Sequence, residues 1–173
     1  MTISLFDVSV LAFRQEVNAI AGVLAKGRAH FEAAGISPDD IVAARVIEDM
    51  LPFRFQIHSV FNHSIGAIEG CKAGEFKPPS SQGQETYAAL EAEIASAVAA
   101  LAACTPDEVN ALEGKDVVFN LGKTQMLFTA ENFLMSFSLP NLYFHAATTY
   151  NILRAKGVKL GKRDYLGMPR LKM

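Results

Sequence analysis

The chain has 173 residues, of which 50% are hydrophobic and 20% are charged. This composition excludes an intrinsically disordered protein, and the length predicts a single globular domain over residues 1–173. The formal net charge of -2 lacks the basic excess that is typical of nucleic-acid-binding proteins, so we expect no nucleic-acid partner.

The N-terminal half is predicted to be helical. Ser4, followed three residues later by an aspartate, is a capping signal for a helix that runs to about Ala34, where Gly35 ends it. Ser-Pro-Asp-Asp predicts a second, short helix over 38–46. A long helix is expected from Pro52 to about Lys72, since proline is tolerated at a helix start but not deep inside one.

The C-terminal half adds a small hairpin to further helices. The stretch DVVFNL-GK-TQMLF alternates around a two-residue turn, which is typical of a β-hairpin. The predicted segments are a loop over 74–84, a helix over 85–103, a short helix from 105, strands over 116–121 and 124–128, a helix over 130–156, and an irregular surface tail from 157. Four long helices with short extra helices and one small hairpin indicate an all-α four-helix bundle.

The last long helix contains an uncharged run between Glu131 and Arg154. Residues 132–153 are long enough to cross a bilayer, but their asparagine, histidine, serine and threonine side chains make a membrane span costly. We therefore expect a buried bundle helix and no membrane partner. The N-terminus also lacks the features of a signal peptide, and two cysteines are too few for a disulfide framework, so we expect a cytoplasmic location.

Two lines of polar residues are the candidates for a functional site. On the last helix, the helical period gathers Ser138, Asn141 and His145 on one stripe. On the second long helix, Gln56 and His63 are seven residues apart and share a face. We predict that a site forms between these two helices.

Three interpretations of this site remain open. His63 and His145 from facing helices suit a divalent metal, but a catalytic zinc usually takes three protein ligands, and the amides of Gln56 and Asn141 are weak ones. The same residues could line a polar ligand cleft. They could also form a buried network in which His145, Asn141 and Ser138 satisfy one another.

Several segments resemble a known family. They are SLFDVSVLAF, EDMLPFRFQI, LPNLYFHAATTYNILRAKGVKLGK and RDYLG, and together they extend over nearly the whole chain. They are similar to an uncharacterised domain-of-unknown-function family within the DinB/YfiT-like superfamily.

This resemblance implies a DinB-like four-helix bundle with up-down-down-up topology that is usually a homodimer. Better-known members bind zinc or nickel through three histidines, one on the second long helix and two on the fourth. The resemblance places His145 at the second position of the fourth-helix pair and Asn141 at the first. Gln56 or His63 takes the position on the second helix, so the triad is incomplete.

Two classes of function follow. As an enzyme, the protein would resemble the metal-dependent thiol S-transferases or isomerases of the superfamily, with a thiol or another small molecule as ligand. As a non-catalytic dimeric binding protein, it would use the same residues without a metal. In either class we expect a degenerate site, that is, one with an incomplete histidine triad. The sequence assigns no catalytic residue.

Overall fold

The structure is a computed structural model that describes residues 3–78 and 85–172. In these ranges the chain is mostly helical and has a small three-stranded sheet. The elements are α1 (Leu5–Val8), α2 (Val10–Ala33), α3 (Phe53–Phe61), α4 (Ala67–Ala73), β1 (Glu75–Phe76), α5 (Tyr87–Ala103), α6 (Pro106–Asn110), β2 (Asp116–Leu121), β3 (Thr124–Thr129), α7 (Ala130–Asn132), α8 (Leu139–Ala155) and α9 (Lys162–Leu166).

The predicted first helix is divided into α1 and α2. Ser4 begins it with the expected capping box, in which its hydroxyl oxygen accepts from the Asp7 amide and the Asp7 carboxylate accepts from the Ser4 amide. Ser9 lies at the division, where its hydroxyl donates to the Leu5 carbonyl at 2.6 Å. This kind of back-bonding competes with helical hydrogen bonds and bends helices. Gly35 follows α2 with a φ of 69°, as a terminating glycine should.

Leu5–Ala33 is the stretch of the described chain whose length and mean hydropathy, 1.3 over its best window, would allow it to cross a membrane. Half of that window is buried inside the fold, where α2 packs against α5 and α8. Core helices of globular proteins have the same length and hydropathy, so this feature carries little weight as a membrane signal.

The two predicted helices that bear the candidate site residues each contain a π-helical turn. The first π segment, Asn62–Gly66, joins α3 to α4, and the second π segment, Phe133–Ser138, joins α7 to α8. A π turn takes one more residue than an α turn, so it changes which side chains face the neighbouring helix. Such turns are frequent at functional sites.

Two helical predictions were wrong. The predicted helix over 38–46 is reduced to a 3-10 turn at Pro38–Ile41, because the chain bends back until the Phe53 amide donates to the Ala44 carbonyl at 2.7 Å. The tail from 157 is not irregular throughout, since it contains α9. The Asp164 carboxylate begins this helix by accepting from the Gly161 amide at 2.8 Å.

The sheet is larger than the predicted hairpin. β2 and β3 pair antiparallel around Gly122, and β1 adds a parallel strand to β2. Its Phe76 is buried and pairs with Phe119, so the burial of one aromatic side chain holds this two-residue strand in the sheet. β1 lies within the predicted loop 74–84, of which residues 79–84 are outside the described residues.

Packing of α8 against α3 and against the first π segment brings the two lines of polar residues together. The largest fully buried side chains come from several elements, which shows that one continuous core joins the helices. They are Tyr87, Phe13, Phe31, Phe53 and Phe133.

Close packing at Gly27 of α2 can be tested by substitution. A Cβ at this position would collide with the Tyr87 hydroxyl and would lie 3.3 Å from Leu153 methyl groups. We expect Gly27→Ala to lower the free energy of unfolding by about 1–3 kcal/mol in urea titrations. Tyr87→Phe removes the colliding oxygen and should restore part of this loss in the double variant.

Gly22, on the same helix, is the matched control. No atom lies within 4 Å of the position that its Cβ would occupy. Gly22→Ala should therefore stabilise the protein by about 0.5–1 kcal/mol, because alanine loses less backbone entropy in a helix. Equal effects at both glycines would contradict the proposed contact with Tyr87.

Candidate functional site between α3 and α8

His145 of α8 is hydrogen-bonded to Gln56 of α3. The imidazole Nδ1 lies 2.8 Å from the Gln56 Oε1, and the Gln56 Nε2 donates to the Leu51 carbonyl at 2.8 Å. Gln56 is only 2% exposed, so this amide is held inside the protein by both of its ends. The structure therefore joins two of the four residues that the sequence predicted for the site.

These contacts determine the tautomer of His145. The Leu51 carbonyl can only accept, so the amide nitrogen of Gln56 faces it and the amide oxygen faces His145. An amide oxygen can only accept, so Nδ1 of His145 carries a proton. Burial lowers the pKa of His145 to about 4, which keeps the ring neutral near pH 7 and leaves Nε2 with a free lone pair.

His63 lies beside His145, in the first π segment. The two ring centroids are 5.9 Å apart and the ring planes are nearly parallel, at 8°. Phe76 and Phe137 also contact the His63 ring, with centroids at 5.4 and 5.6 Å. Burial, with a smaller contribution from His145, lowers the pKa of His63 to about 3. This imidazole is therefore neutral, and its buried Nδ1 has no hydrogen-bond partner among the described residues.

The polar stripe on α8 does not form the predicted internal network. The Asn141 amide donates to the Phe137 carbonyl on its own helix at 2.8 Å, and Thr148 donates to the Phe144 carbonyl at 2.7 Å. The buried Ser138 hydroxyl has no partner among the described residues. The interpretation in which His145, Asn141 and Ser138 satisfy one another was wrong, because nearby carbonyls and Gln56 are the better-placed partners.

The donor set does not fit a catalytic metal. Among residues 3–78 and 85–172, no group of three or more His, Cys, Asp and Glu side chains could hold an ion. The two imidazoles of His63 and His145 would be joined only by amides, and the Gln56 oxygen is already hydrogen-bonded to His145. Catalytic zinc sites use three protein ligands and a water, so the residues that the structure describes lack the third ligand.

Aromatic rings surround the outer side of His145. Phe55 and Phe144 contact its ring edge to face, with centroids at 5.9 and 5.2 Å. Phe144 is 56% exposed, whereas His145 itself is half-buried. A neutral hydrogen-bond acceptor thus lies next to exposed apolar surface. This combination suits a ligand with one hydrogen-bond donor and an apolar part.

His58 is the centre of a second polar cluster, which sequence reasoning did not identify as a site. Its Nδ1 lies 2.7 Å from Glu93 and its Nε2 lies 2.6 Å from Glu85. The hydrogen bond to Glu93, assisted by Glu85, raises the pKa of His58 to about 9 despite partial burial. The carboxylates belong to α5 and the residues before it, so no local sequence pattern could reveal them.

His58 and Glu93 border a cavity of about 540 Å³ that is separate from the His63–His145 pair. Its walls include Phe61, Phe76 and the glycines of α4 and the first π segment. His58 is an imidazolium between two carboxylates, so it acts as an ion-pair bridge from α3 to α5. We assign it a structural role.

Comparison with known proteins gives two findings. The model of the family described as "Domain of unknown function (DUF1993)" matches residues 5–166. The chain is also similar to the crystal structure of a DinB family member protein from Shewanella denitrificans, with a TM-score of 0.78 and 26% identity, covering 98% of this chain and 95% of that chain. A comparison with curated proteins gives no match.

The neutral histidines predict acid sensitivity. A folded-state pKa below the unfolded value of about 6.5 means that folding releases protons, so stability is lost as the pH falls from about 6.5 towards about 4. His145→Gln removes one such group and retains an amide that can donate to Gln56. In urea titrations, the free energy of unfolding should fall between about pH 7 and about pH 5 in both proteins. The fall should be smaller in this variant than in the unaltered protein by roughly 1 kcal/mol.

The same experiment on Asn151→Gln, at an exposed position of α8 with no titratable group, should give the loss of the unaltered protein. His58, whose folded-state pKa of about 9 lies above the unfolded value of about 6.5, adds stability as the pH falls from about 7 to about 6. This contribution is the same in every variant and therefore cancels. Glu16, whose pKa burial raises to about 7, has the opposite dependence and is present in every variant. An unchanged pH dependence in His145→Gln would contradict a neutral, buried His145.

Proposed function

Because the chain belongs to the family of the domain of unknown function DUF1993 and is similar in structure to a DinB family member protein, we propose that its degenerate site binds a small ligand without a catalytic metal. The ligand donates a hydrogen bond to Nε2 of His145 and places an apolar part against Phe55 and Phe144. According to this proposal, the protein is a binding protein with a DinB-like fold.

One observation carries the proposal: Gln56 bonds to both the Leu51 carbonyl and His145 Nδ1. This pair of contacts leaves an acceptor at Nε2, and the low pKa of His145 keeps that acceptor available across the physiological pH range. An alcohol, a phenol or a thiol can donate to such a nitrogen. His63, neutral and stacked beside His145, adds a second uncharged wall and no competing charge.

A metal-dependent enzyme is the weaker alternative. His63 and His145 would provide two zinc or nickel ligands, and Gln56 would act behind His145 in the way that outer-sphere partners orient metal ligands. Asn141 would have to complete the set through its Oδ1, since its amide nitrogen donates to Phe137. An amide is a weak ligand for either ion, so a thiol transferase activity that depends on a bound metal is disfavoured.

The proposal also includes the arrangement of the chain. We propose an up-down-down-up bundle whose long members are α2, α3 with α4, α5 and α8, a homodimer, and a cytoplasmic location. Exposed apolar side chains outside the ligand site, such as Ile47 and Leu127, support an interface between copies, and two free cysteines suit a reducing compartment. Sedimentation of the purified protein at twice the monomer mass would support the dimer, and a monomer would exclude it.

Phenol is a suitable probe of the binding site, because it has a hydroxyl donor and an apolar ring. In nitrogen-detected NMR of labelled histidines, we expect phenol to shift the His145 Nε2 resonance. Gln56→Met removes the fixed tautomer and should weaken phenol binding on the order of tenfold while the Nδ1 and Nε2 resonances become mixed. His30→Gln is the control and should retain the binding of the unaltered protein. Equal binding by Gln56→Met would contradict the proposal.

Restoring the missing ligand tests the metal question directly. Asn141 and His145 are one helical turn apart, so Asn141→His should give three imidazoles around a common point and bind stoichiometric zinc in calorimetry. Asn151→His, on an exposed part of α8, is the matched control and should bind none. Stoichiometric zinc in the unaltered protein, purified without a histidine tag, would overturn the metal-free proposal.

A further inference from the structure

Glu16 of α2 is a buried carboxyl group that forms no ion pair with any of the described residues. It is 4% exposed, and its Oε1 is fully buried with no hydrogen-bond partner among the described residues. A buried, unpaired carboxylate is strongly unfavourable, so such a group stays protonated instead. Burial accordingly raises the pKa of Glu16 to about 7.

The C-terminal arm, which we define as residues 162–172, covers this part of α2. Gly167 lies against α2 so closely that a Cβ there would be 3.1 Å from the Ala19 Cβ and 3.2 Å from the Gln15 carbonyl. The Gln15 amide donates to the Leu166 carbonyl at 2.8 Å. Gln15 and Ala19 share the helix face next to Glu16. Tyr165 of the arm is close enough to Glu16 for a charge there to raise the pKa of the phenol. The arm therefore packs beside the turn that carries the buried acid.

Further contacts fasten the two ends of the arm. Lys26 of α2 forms an ion pair with Asp164 at 2.6 Å, and Arg170 donates to the Asp7 carbonyl at 3.3 Å. These contacts are exposed and therefore weak, because solvent screens surface ion pairs. These polar contacts therefore add little to the packing of α9 on α2, so a buried charge at that packed surface can decide whether the arm stays docked.

The groups that face Glu16 do not neutralise it. Tyr143 of α8 and Tyr165 of α9 are its titratable neighbours, and burial raises the pKa of each, to about 12 for Tyr165. Both phenols are therefore neutral wherever Glu16 titrates. Arg170 is the nearby cation of the arm, and its guanidinium affects Tyr143 and Asp7 rather than Glu16. The charges of Lys26 and Asp164 already neutralise each other in an ion pair.

We propose that Glu16 is a pH-sensitive latch: the C-terminal arm is docked on α2 while this carboxyl group is protonated and is released when the group ionises. Release gives the ionised carboxylate access to water, which docking denies it. Docking is fully favoured below the pKa of an exposed glutamate, about 4.5, and is progressively lost as the pH rises through about 7. This switch is independent of the ligand site at His145.

Amide hydrogen exchange in α9 reports the docked state. This helix has five residues, and so short a helix is unstable in water unless it is packed against the rest of the protein. Its internal hydrogen bonds, such as that from the Gly167 amide to the Arg163 carbonyl, should therefore open when the arm leaves α2. Protection factors corrected for intrinsic exchange then measure the docking equilibrium.

We expect protection in α9 to fall on the order of tenfold between about pH 5.5 and about pH 7.5, because the undocked state is favoured by ionisation. Glu16→Gln should abolish this pH dependence, since glutamine has the same shape and no titration. Glu32→Gln, an exposed position of the same helix, should behave as the unaltered protein. Equal protection at both pH values in the unaltered protein would overturn the latch, and so would an unchanged pH dependence in Glu16→Gln.

A second variant releases the arm by another route. Gly167 has a φ of 61° and no space for a side chain, so Gly167→Ala should lower protection in α9 at both pH values. Carbon-detected NMR titration of the Glu16 carboxyl group is the direct check if Glu16→Gln does not fold. A midpoint near pH 7 supports the latch, and a midpoint near the ordinary value of about 4.5 overturns it.

Discussion

The hydrogen bond between Gln56 and His145 is the contact on which the site depends. It joins α3 to α8, selects the proton-bearing nitrogen of His145, and occupies the amide oxygen that would otherwise be free for a ligand. The Leu51 carbonyl fixes the amide from behind, so Gln56 acts as a positioning residue with both ends engaged. The arrangement resembles the outer sphere of a metal site, but the imidazole that it supports has one neighbouring histidine and, within the described part of the chain, no third ligand.

The helices were predictable where their ends carry capping groups or glycine. Ser4, Thr105 and Gly157 begin or end helices near the expected positions, because a cap acts through residues close in sequence. The π turns were not predictable, since an extra residue in a turn has no distinctive side-chain pattern. The short strand at Glu75–Phe76 was missed for a different reason: it is held by pairing with β2, more than forty residues later in the chain.

Sequence reasoning predicted the members of the site better than their interactions. The helical period placed Gln56 and His63 on one face and Asn141 and His145 on another, and the structure joins Gln56 to His145 while stacking His63 beside it. Period alone could not say that the Asn141 amide would turn to its own helix. Side-chain rotamers follow from the nearest available acceptor, which only the packed structure supplies.

A partner of opposite charge separates the charged from the neutral groups among His58, His63, His145 and Glu16. His58 has two carboxylates within 2.7 Å and is an imidazolium, whereas His63 and His145 have aromatic or amide neighbours and are neutral. Glu16 follows the same rule with the opposite sign, since without a cation its burial favours the protonated acid. Protonation of the histidine pair therefore disfavours the folded protein from the acid side, and ionisation of Glu16 disfavours the docked arm from the basic side. The fully packed structure is the favoured one between these two limits, because there the buried groups that lack partners are uncharged.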